Sequence, residues 1–116
     1  MRAPLVFAGR APAAVAEVER KRRIDQVVAG LKMAGTAAQQ AGVKLAIESL
    51  NRFETDIANT TGHALALADA VGSPAVGVMR DTFHMNMEDF SIPDSIRRAA
   101  RHLVHFQANE NNRGFV

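Results

Sequence analysis

Two carboxylates in this chain each close a short apolar run. Glu48 ends Val43-Lys44-Leu45-Ala46-Ile47-Glu48, and Asp81 ends Ala75-Val76-Gly77-Val78-Met79-Arg80-Asp81. A third run, Leu103-Val104-His105-Phe106-Gln107-Ala108, gives way to the polar stretch Gln107–Glu110. Glu54, His84 and Arg113 lie just beyond these ends, with His84 three residues after Asp81. Taken singly, such a carboxylate is as often a helix cap or salt-bridge partner as a ligand, and a lone loop histidine is more often merely hydrogen-bonded. Taken together they form an oxygen-rich set with one imidazole, which suits Mn²⁺, Co²⁺ or Mg²⁺ better than a metal that prefers soft ligands.

Convergence of these residues requires the runs to be neighbouring strands. Leu5-Val6-Phe7-Ala8, closed by Gly9, reads as a first short strand, followed by a loop containing Pro12. Ile24, Val27, Val28, Leu31, Ala34 and Ala38 recur at helical spacing, with Val15 and Val18 as an upstream extension and Gly42 as the stop. Gly30 and Gly35 offer places for close packing on a sheet. A second strand ends near Glu48, and Asn51–Thr55 forms a polar loop. A second helix carries Ile57, Thr61, Ala64, Leu65, Ala68 and Val71 to a stop at Gly72-Ser73-Pro74. After the strand ending at Asp81, a polar loop is expected from His84 to Phe90. Ser91 with Asp94 then marks a third helix through Ile96, Ala99, Ala100 and Leu103.

The resulting β-α-β-α-β-α-β order, with near-continuous apolar strands, predicts an α/β parallel sheet covered by helices. Chemistry in such folds gathers at the C-terminal strand ends, where Glu48 and Asp81 fall. His105 lies within a strand and is read as structural, facing away from Gln107. His63 and His102 are assigned to helix surfaces, Arg20–Arg23 to a solvated helix face, and Met79, Met85 and Met87 to packing.

The 116 residues correspond to one domain or a piece of one. The absence of cysteine excludes disulfides, thiolate metal sites and a cysteine nucleophile. A formal charge of +2 is no nucleic-acid footprint, and no apolar run reaches the roughly 20 residues that span a bilayer. A soluble, cytoplasmic protein with neither nucleic-acid nor membrane partner is expected.

The segment Ile47-Glu48-Ser49-Leu50-Asn51-Arg52-Phe53-Glu54-Thr55, followed by Asp81-Thr82-Phe83-His84-Met85-Asn86-Met87-Glu88, resembles the ketose 3-epimerases of the D-tagatose and D-psicose type. These belong to the xylose-isomerase-like barrel superfamily. Asn109-Glu110-Asn111-Asn112-Arg113-Gly114 is similar to that family's next strand-end motif. The resemblance implies a partial TIM barrel over residues 1–116, with about four parallel strands matching the middle to late strands of a full barrel. It implies a divalent ion, first Mn²⁺ and otherwise Co²⁺ or Mg²⁺, held by Glu48, Asp81 and Gln107. Glu48 would also exchange a proton with the sugar, while Glu54, His84 and Arg113 would contact a ketose substrate. The full-length relative would epimerise its ketose at C3 through an enediolate.

Three positions depart from the family pattern. Gln107 stands where the family has a histidine ligand, Arg80 where an apolar residue is usual, and Ser49 where proline is common. Strand alternation points Arg80 toward the helices, where its charge is costly unless paired. A complete barrel takes roughly 250 residues. The chain is therefore expected to be a fragment or truncated form lacking the second catalytic glutamate, with little epimerase activity alone. The alternatives are another sugar isomerase or dehydratase of the superfamily, or a non-catalytic half-barrel that dimerises. Open strand edges favour a homo-oligomer.

Overall fold

The computed structural model describes residues 3–10 and 16–115. The expectations placed on Pro12 and Val15 lie outside the described residues. The elements are β1 (Leu5–Phe7), α1 (Glu17–Gln40), β2 (Leu45–Glu48), α2 (Thr61–Val71), β3 (Val76–Asp81), α3 (Thr82–Glu88), α4 (Ile92–Ala99) and β4 (Leu103–Gln107). The four strands form one parallel sheet in chain order, β1-β2-β3-β4.

Alternation along the strands divides the sheet into two faces. Leu45 and Ile47 of β2 and Val76 and Val78 of β3 join Leu31 and Ala38 of α1, Ala64, Leu67, Ala68 and Val71 of α2, and Ala99 of α4 in a single core. Helices α1, α2 and α4 therefore lie on one side of the sheet, while α3 follows directly from the C-terminal end of β3. Consecutive parallel strands with their covering helices on one side are the arrangement of a barrel segment, whereas a doubly wound sheet carries helices on both sides. Ala46 and Glu48 of β2 and Met79 and Asp81 of β3 alternate onto the opposite face.

The apolar spacing of α1 is realised with one shift. Leu31, Gly35 and Ala38 are buried, whereas Ala34 is exposed. Gly35 takes the contact because a Cβ there would come within 2.9 Å of Val76 Cγ2. Gly30 has open space around it and plays no such part. The second helix starts at Thr61, later than the Ile57 expected from spacing. The Thr60 side chain accepts a hydrogen bond from the His63 backbone N–H, and the His63 side chain accepts one from the Thr60 N–H. Ile57 and Ala58 are nonetheless buried in the preceding loop. Gly72, at φ 65°, ends α2 in the left-handed conformation that a side chain would disfavour.

The polar loop expected from His84 to Phe90 is largely helical. The carboxylate of Asp81 accepts the Phe83 N–H at 2.9 Å and so caps α3, which buries His84 and Met85. Two helical turns with one buried side are too short to show a period in sequence. Ser91 does cap α4, accepting the Asp94 N–H at 3.4 Å. That helix ends at Ala99, so His102 sits in the following turn, with Nε2 3.4 Å from Asp69 Oδ1. His63 is on α2 and exposed. His105 pairs with Met79 and Gln107 with Asp81, so the two share a face. The two-residue period of a strand contradicts the expectation that they point apart. In the described residues, no helix is long and apolar enough to cross a membrane.

The β3–β4 register shifts between Val78 and Met79. Gly77 makes the approach of the two strands possible at this point, since a Cβ there would lie 2.4 Å from both His102 O and Val104 Cγ2. Backbone cannot yield as a flexible side chain does. Gly77→Ala is expected to destabilise the fold by roughly 1–3 kcal/mol. Urea unfolding measures this, and an unchanged midpoint would contradict the packing described.

Candidate active site

The parallel register places three polar side chains at neighbouring strand ends. Glu48 closes β2 opposite Phe7 and Met79, while Asp81 closes β3 opposite Gln107, the last residue of β4. The loops add Glu54, His84 and Arg113. All six residues singled out in the sequence line one cleft of about 480 Å³, together with Phe7, Leu50 and Asn109.

Each side chain has a local reason for its position. Asp81 is held by its cap on α3 and by Asn109, whose Nδ2 lies 2.9 Å from both carboxylate oxygens. Asn109 is fixed in turn by Thr82 Oγ1, which donates to its carbonyl and accepts from its N–H, both at 2.7 Å. His84 enters from the first turn of α3. Its Nδ1 lies 2.9 Å from the Asn51 backbone N and 3.0 Å from Asn51 Nδ2, while Nε2 is 3.8 Å from Glu48 Oε1. Glu54 accepts hydrogen bonds from Asn51 Nδ2 and from Arg113 Nη2, the latter at 2.7 Å. The Arg113 guanidinium stacks 4.3 Å from the Phe83 ring centroid. Its φ of 63° is unusual for a residue with a side chain. At the rim, Arg52 binds Glu88 through its backbone N at 2.6 Å and Nε at 3.0 Å.

One potential ligand atom from each of Glu48, Asp81 and His84 lies within 4.8 Å of the others, and all three residues are buried. Burial, and next the nearby Asp81 charge, push the Glu48 carboxyl above the ordinary carboxylate value. Burial lowers His84, outweighing the neighbouring carboxylates Glu54 and Asp81. Burial acts upward on Glu54, but hydrogen bonds from Arg113 and Asn51 bring it below its usual value. Two buried carboxylates side by side, short of compensating positive charge, fit a hard divalent cation. Of the oxygen and nitrogen groups around them, Gln107 offers a neutral amide.

Arg80 lies behind this pair and is fully buried. It faces the helices, as strand alternation requires. Its Nη1 donates to Ser49 O at 3.0 Å and its Nη2 to Asp89 Oδ2 at 3.3 Å, leaving Nε without a partner. Asp89 also accepts from Thr61 N at 2.9 Å and from Thr61 Oγ1 at 2.5 Å. The departure at Arg80 is thus matched by a buried acid that joins β3 to the start of α2.

Several residues of the site were not singled out in the sequence. Asn51, Thr82, Phe83 and Asn109 sit inside the motifs, but as polar or aromatic loop residues they carry no signal of the contacts they make. Asn51 and Asn109 act across 33 and 28 positions of chain, respectively.

A family model, described as xylose isomerase-like TIM barrel, matches residues 1–115. The chain belongs to that family. It is 44% identical over 86 residues to a D-psicose 3-epimerase of Agrobacterium fabrum (strain C58), covering 74% of this chain and 30% of the relative. It is 38% identical over 100 residues to an L-ribulose 3-epimerase of Mesorhizobium japonicum, covering 86% of this chain and 34% of the relative. A crystal structure of a D-psicose 3-epimerase in the presence of D-fructose superposes with a TM-score of 0.82 at 33% identity, over 94% of this chain and 39% of that one. The chain thus spans about a third of the length of the relatives it matches, and its four strands and alternating helices form part of a barrel.

The Arg80–Asp89 pair gives a test of what holds the site from behind. Arg80→Leu leaves Asp89 buried without its cation and is expected to cost about 3–5 kcal/mol in urea unfolding. Adding Asp89→Asn is expected to recover more than half of that loss. A single-variant loss below about 1 kcal/mol would show that the pair contributes little.

Proposed function

We propose that this chain carries the metal-binding and proton-abstracting side of a ketose 3-epimerase site. The convergence of the buried Glu48 and Asp81 carboxylates at adjacent strand ends, inside a cleft lined by Glu54, His84 and Arg113, carries the reading. The activities of the related D-psicose and L-ribulose 3-epimerases support a ketose as the substrate class.

Glu48, Asp81 and the Gln107 amide oxygen would hold the ion, with Mn²⁺ the first choice and Co²⁺ or Mg²⁺ the alternatives. A bound divalent cation supplies charge stabilisation at the sugar's oxygens as the proton beside the carbonyl leaves. Glu48 is the residue to remove the C3 proton, because burial and the neighbouring Asp81 charge make its carboxylate more basic than usual. Arg113, braced on Glu54 and Phe83, grips a sugar hydroxyl, and His84 and Glu54 orient the carbonyl end. Returning a proton to the opposite side of C3 needs a second acid facing Glu48, which we assign to barrel strands beyond this segment. The chain alone is therefore expected to bind metal and sugar but to turn over little. Action on a free ketose in the cytoplasm is the setting we propose.

A second reading concerns assembly. Leu5 and Phe7, on the edge strand β1, are 40% and 56% exposed. Both pair with residues on the face away from the helices, so that face is uncovered, and β1 is also unpaired on its outer side. Together these favour closure by further strands, from a longer chain or from a second copy that completes a homo-oligomeric barrel.

Thermal unfolding tests the site directly. An acid whose folded pKa lies above its unfolded value favours the native state most at low pH, and that contribution is lost as pH rises from the ordinary carboxylate value up through the raised one. At neutral pH, Glu48→Gln is accordingly expected to raise the Tm of the metal-free protein. In the unsubstituted chain, Mn²⁺ at a hundredfold excess over its Kd is expected to add about 2.7 kcal/mol, or roughly 10 °C. D-fructose is expected to add a further increment only when Mn²⁺ is present. Glu48→Gln should abolish both gains. Equal gains in the variant would overturn the assignment of Glu48.

A further inference from the structure

We propose that Asn51 is the positioning residue of the cleft: it fixes His84 as the Nε2–H tautomer, which makes His84 a hydrogen-bond donor beside Glu48 and removes it from the metal's ligands. The tautomer is independent of the function proposed above; only the donor's use on a sugar rests on that reading.

A backbone N–H can only donate. The Asn51 backbone N lies 2.9 Å from His84 Nδ1, so Nδ1 must present a lone pair. The Asn51 side chain repeats the constraint. Its Oδ1 accepts the Phe53 N–H at 3.0 Å, which fixes the amide orientation and leaves Nδ2 facing both His84 Nδ1, at 3.0 Å, and the Glu54 carboxylate. Both N–H bonds of Nδ2 are thereby used. Asn51 is 2% exposed, so no water competes for these groups.

A neutral imidazole carries one proton, and with Nδ1 accepting, that proton is on Nε2. Nε2 is the nitrogen 3.8 Å from Glu48 Oε1, on the side of the acidic pair. Ligation through Nε2 requires a lone pair there, which means moving the proton to Nδ1. That would set an N–H against two buried N–H donors and break both bonds at once. A histidine built as a ligand has the opposite arrangement, with its distal N–H donated to a carboxylate or carbonyl. The cluster of three potential ligands therefore divides into two carboxylates that take a cation and one fixed donor that takes an oxygen acceptor. In a ketose that acceptor is the carbonyl oxygen, which gains negative charge when the neighbouring proton leaves, so the bond strengthens as the reaction proceeds. Asn51 thus sets the direction of that bond and tethers Glu54 with the same side chain.

Long-range ¹H–¹⁵N correlation spectra of the ¹⁵N-labelled chain at neutral pH read both ring nitrogens of His84. The expected result is an unprotonated Nδ1 and a protonated Nε2. This should persist when Zn²⁺ is added, an ion that favours imidazole and so gives ligation every chance. An Nδ1–H form, an averaged mixture, or a Zn²⁺-bound Nε2 would overturn the proposal. In Asn51→Asp, the carboxylate beside Nδ1 is expected to leave both nitrogens protonated, whereas an unchanged pattern would show that Asn51 does not set the tautomer. Should that variant fail to fold, the measurement on the unsubstituted chain still decides. In the presence of Mn²⁺, Asn51→Ala is expected to weaken D-fructose binding about tenfold and to alter Mn²⁺ affinity less than twofold. Absence of sugar binding in the unsubstituted chain would count against the function proposed above and leave the tautomer result standing.

Discussion

Two carboxylates held together out of water repel each other, and the surroundings of Glu48 and Asp81 are organised around that repulsion. Parallel pairing brings the ends of β2 and β3 side by side, and strand alternation turns both acids to one face. Among the described residues, Arg80 and Arg113 offset the resulting charge only in part, and Glu48 stays above the ordinary carboxylate value. Asn109 satisfies the Asp81 oxygens with neutral N–H groups, and the α3 cap adds another. Arg113 is engaged by Glu54 at the cleft wall. Arg80 is nearby but committed to Asp89 and Ser49 on the other side of the sheet. A cation between the acids is the simplest way to balance what the fold has concentrated there.

The loops position what the strands cannot. Asn51 links His84 to Glu54, and Glu54 is the partner of Arg113, so three cleft residues from three different segments share one chain of hydrogen bonds. The loop holding Asn51 is itself tied down, since Arg10 donates to Phe53 O at 2.7 Å, Thr55 donates to Gly9 O, and Arg52 reaches Glu88. The donor role proposed for His84 needs this kind of support, because a shift of about 1 Å would let the ring turn.

Much of the architecture is legible in the sequence because parallel strands buried on both faces are written as short aliphatic runs, and Ala75–Met79 or Leu45–Ile47 admit few other readings. The four-strand order follows from their alternation with helical spacing. The features that escape detection depend on long-range contacts. Helix α3 is capped by Asp81 and buries Met85, and neither feature leaves a periodic trace in seven residues. Asn51 and Asn109 read as ordinary turn formers until the fold brings them to His84 and Asp81. Arg80 reads as an anomaly until Asp89, nine residues later, is found beside it.

On the proposed function, the carboxylates of Glu48 and Asp81 share one divalent cation, and His84 is not among its ligands. Anomalous diffraction from crystals of the chain grown with Mn²⁺ measures this most directly. The expected result is a single strong peak bound by an oxygen of Glu48 and an oxygen of Asp81, with His84 Nε2 outside its coordination sphere. A peak ligated by His84, or no peak between the two acids at saturating Mn²⁺, would contradict it.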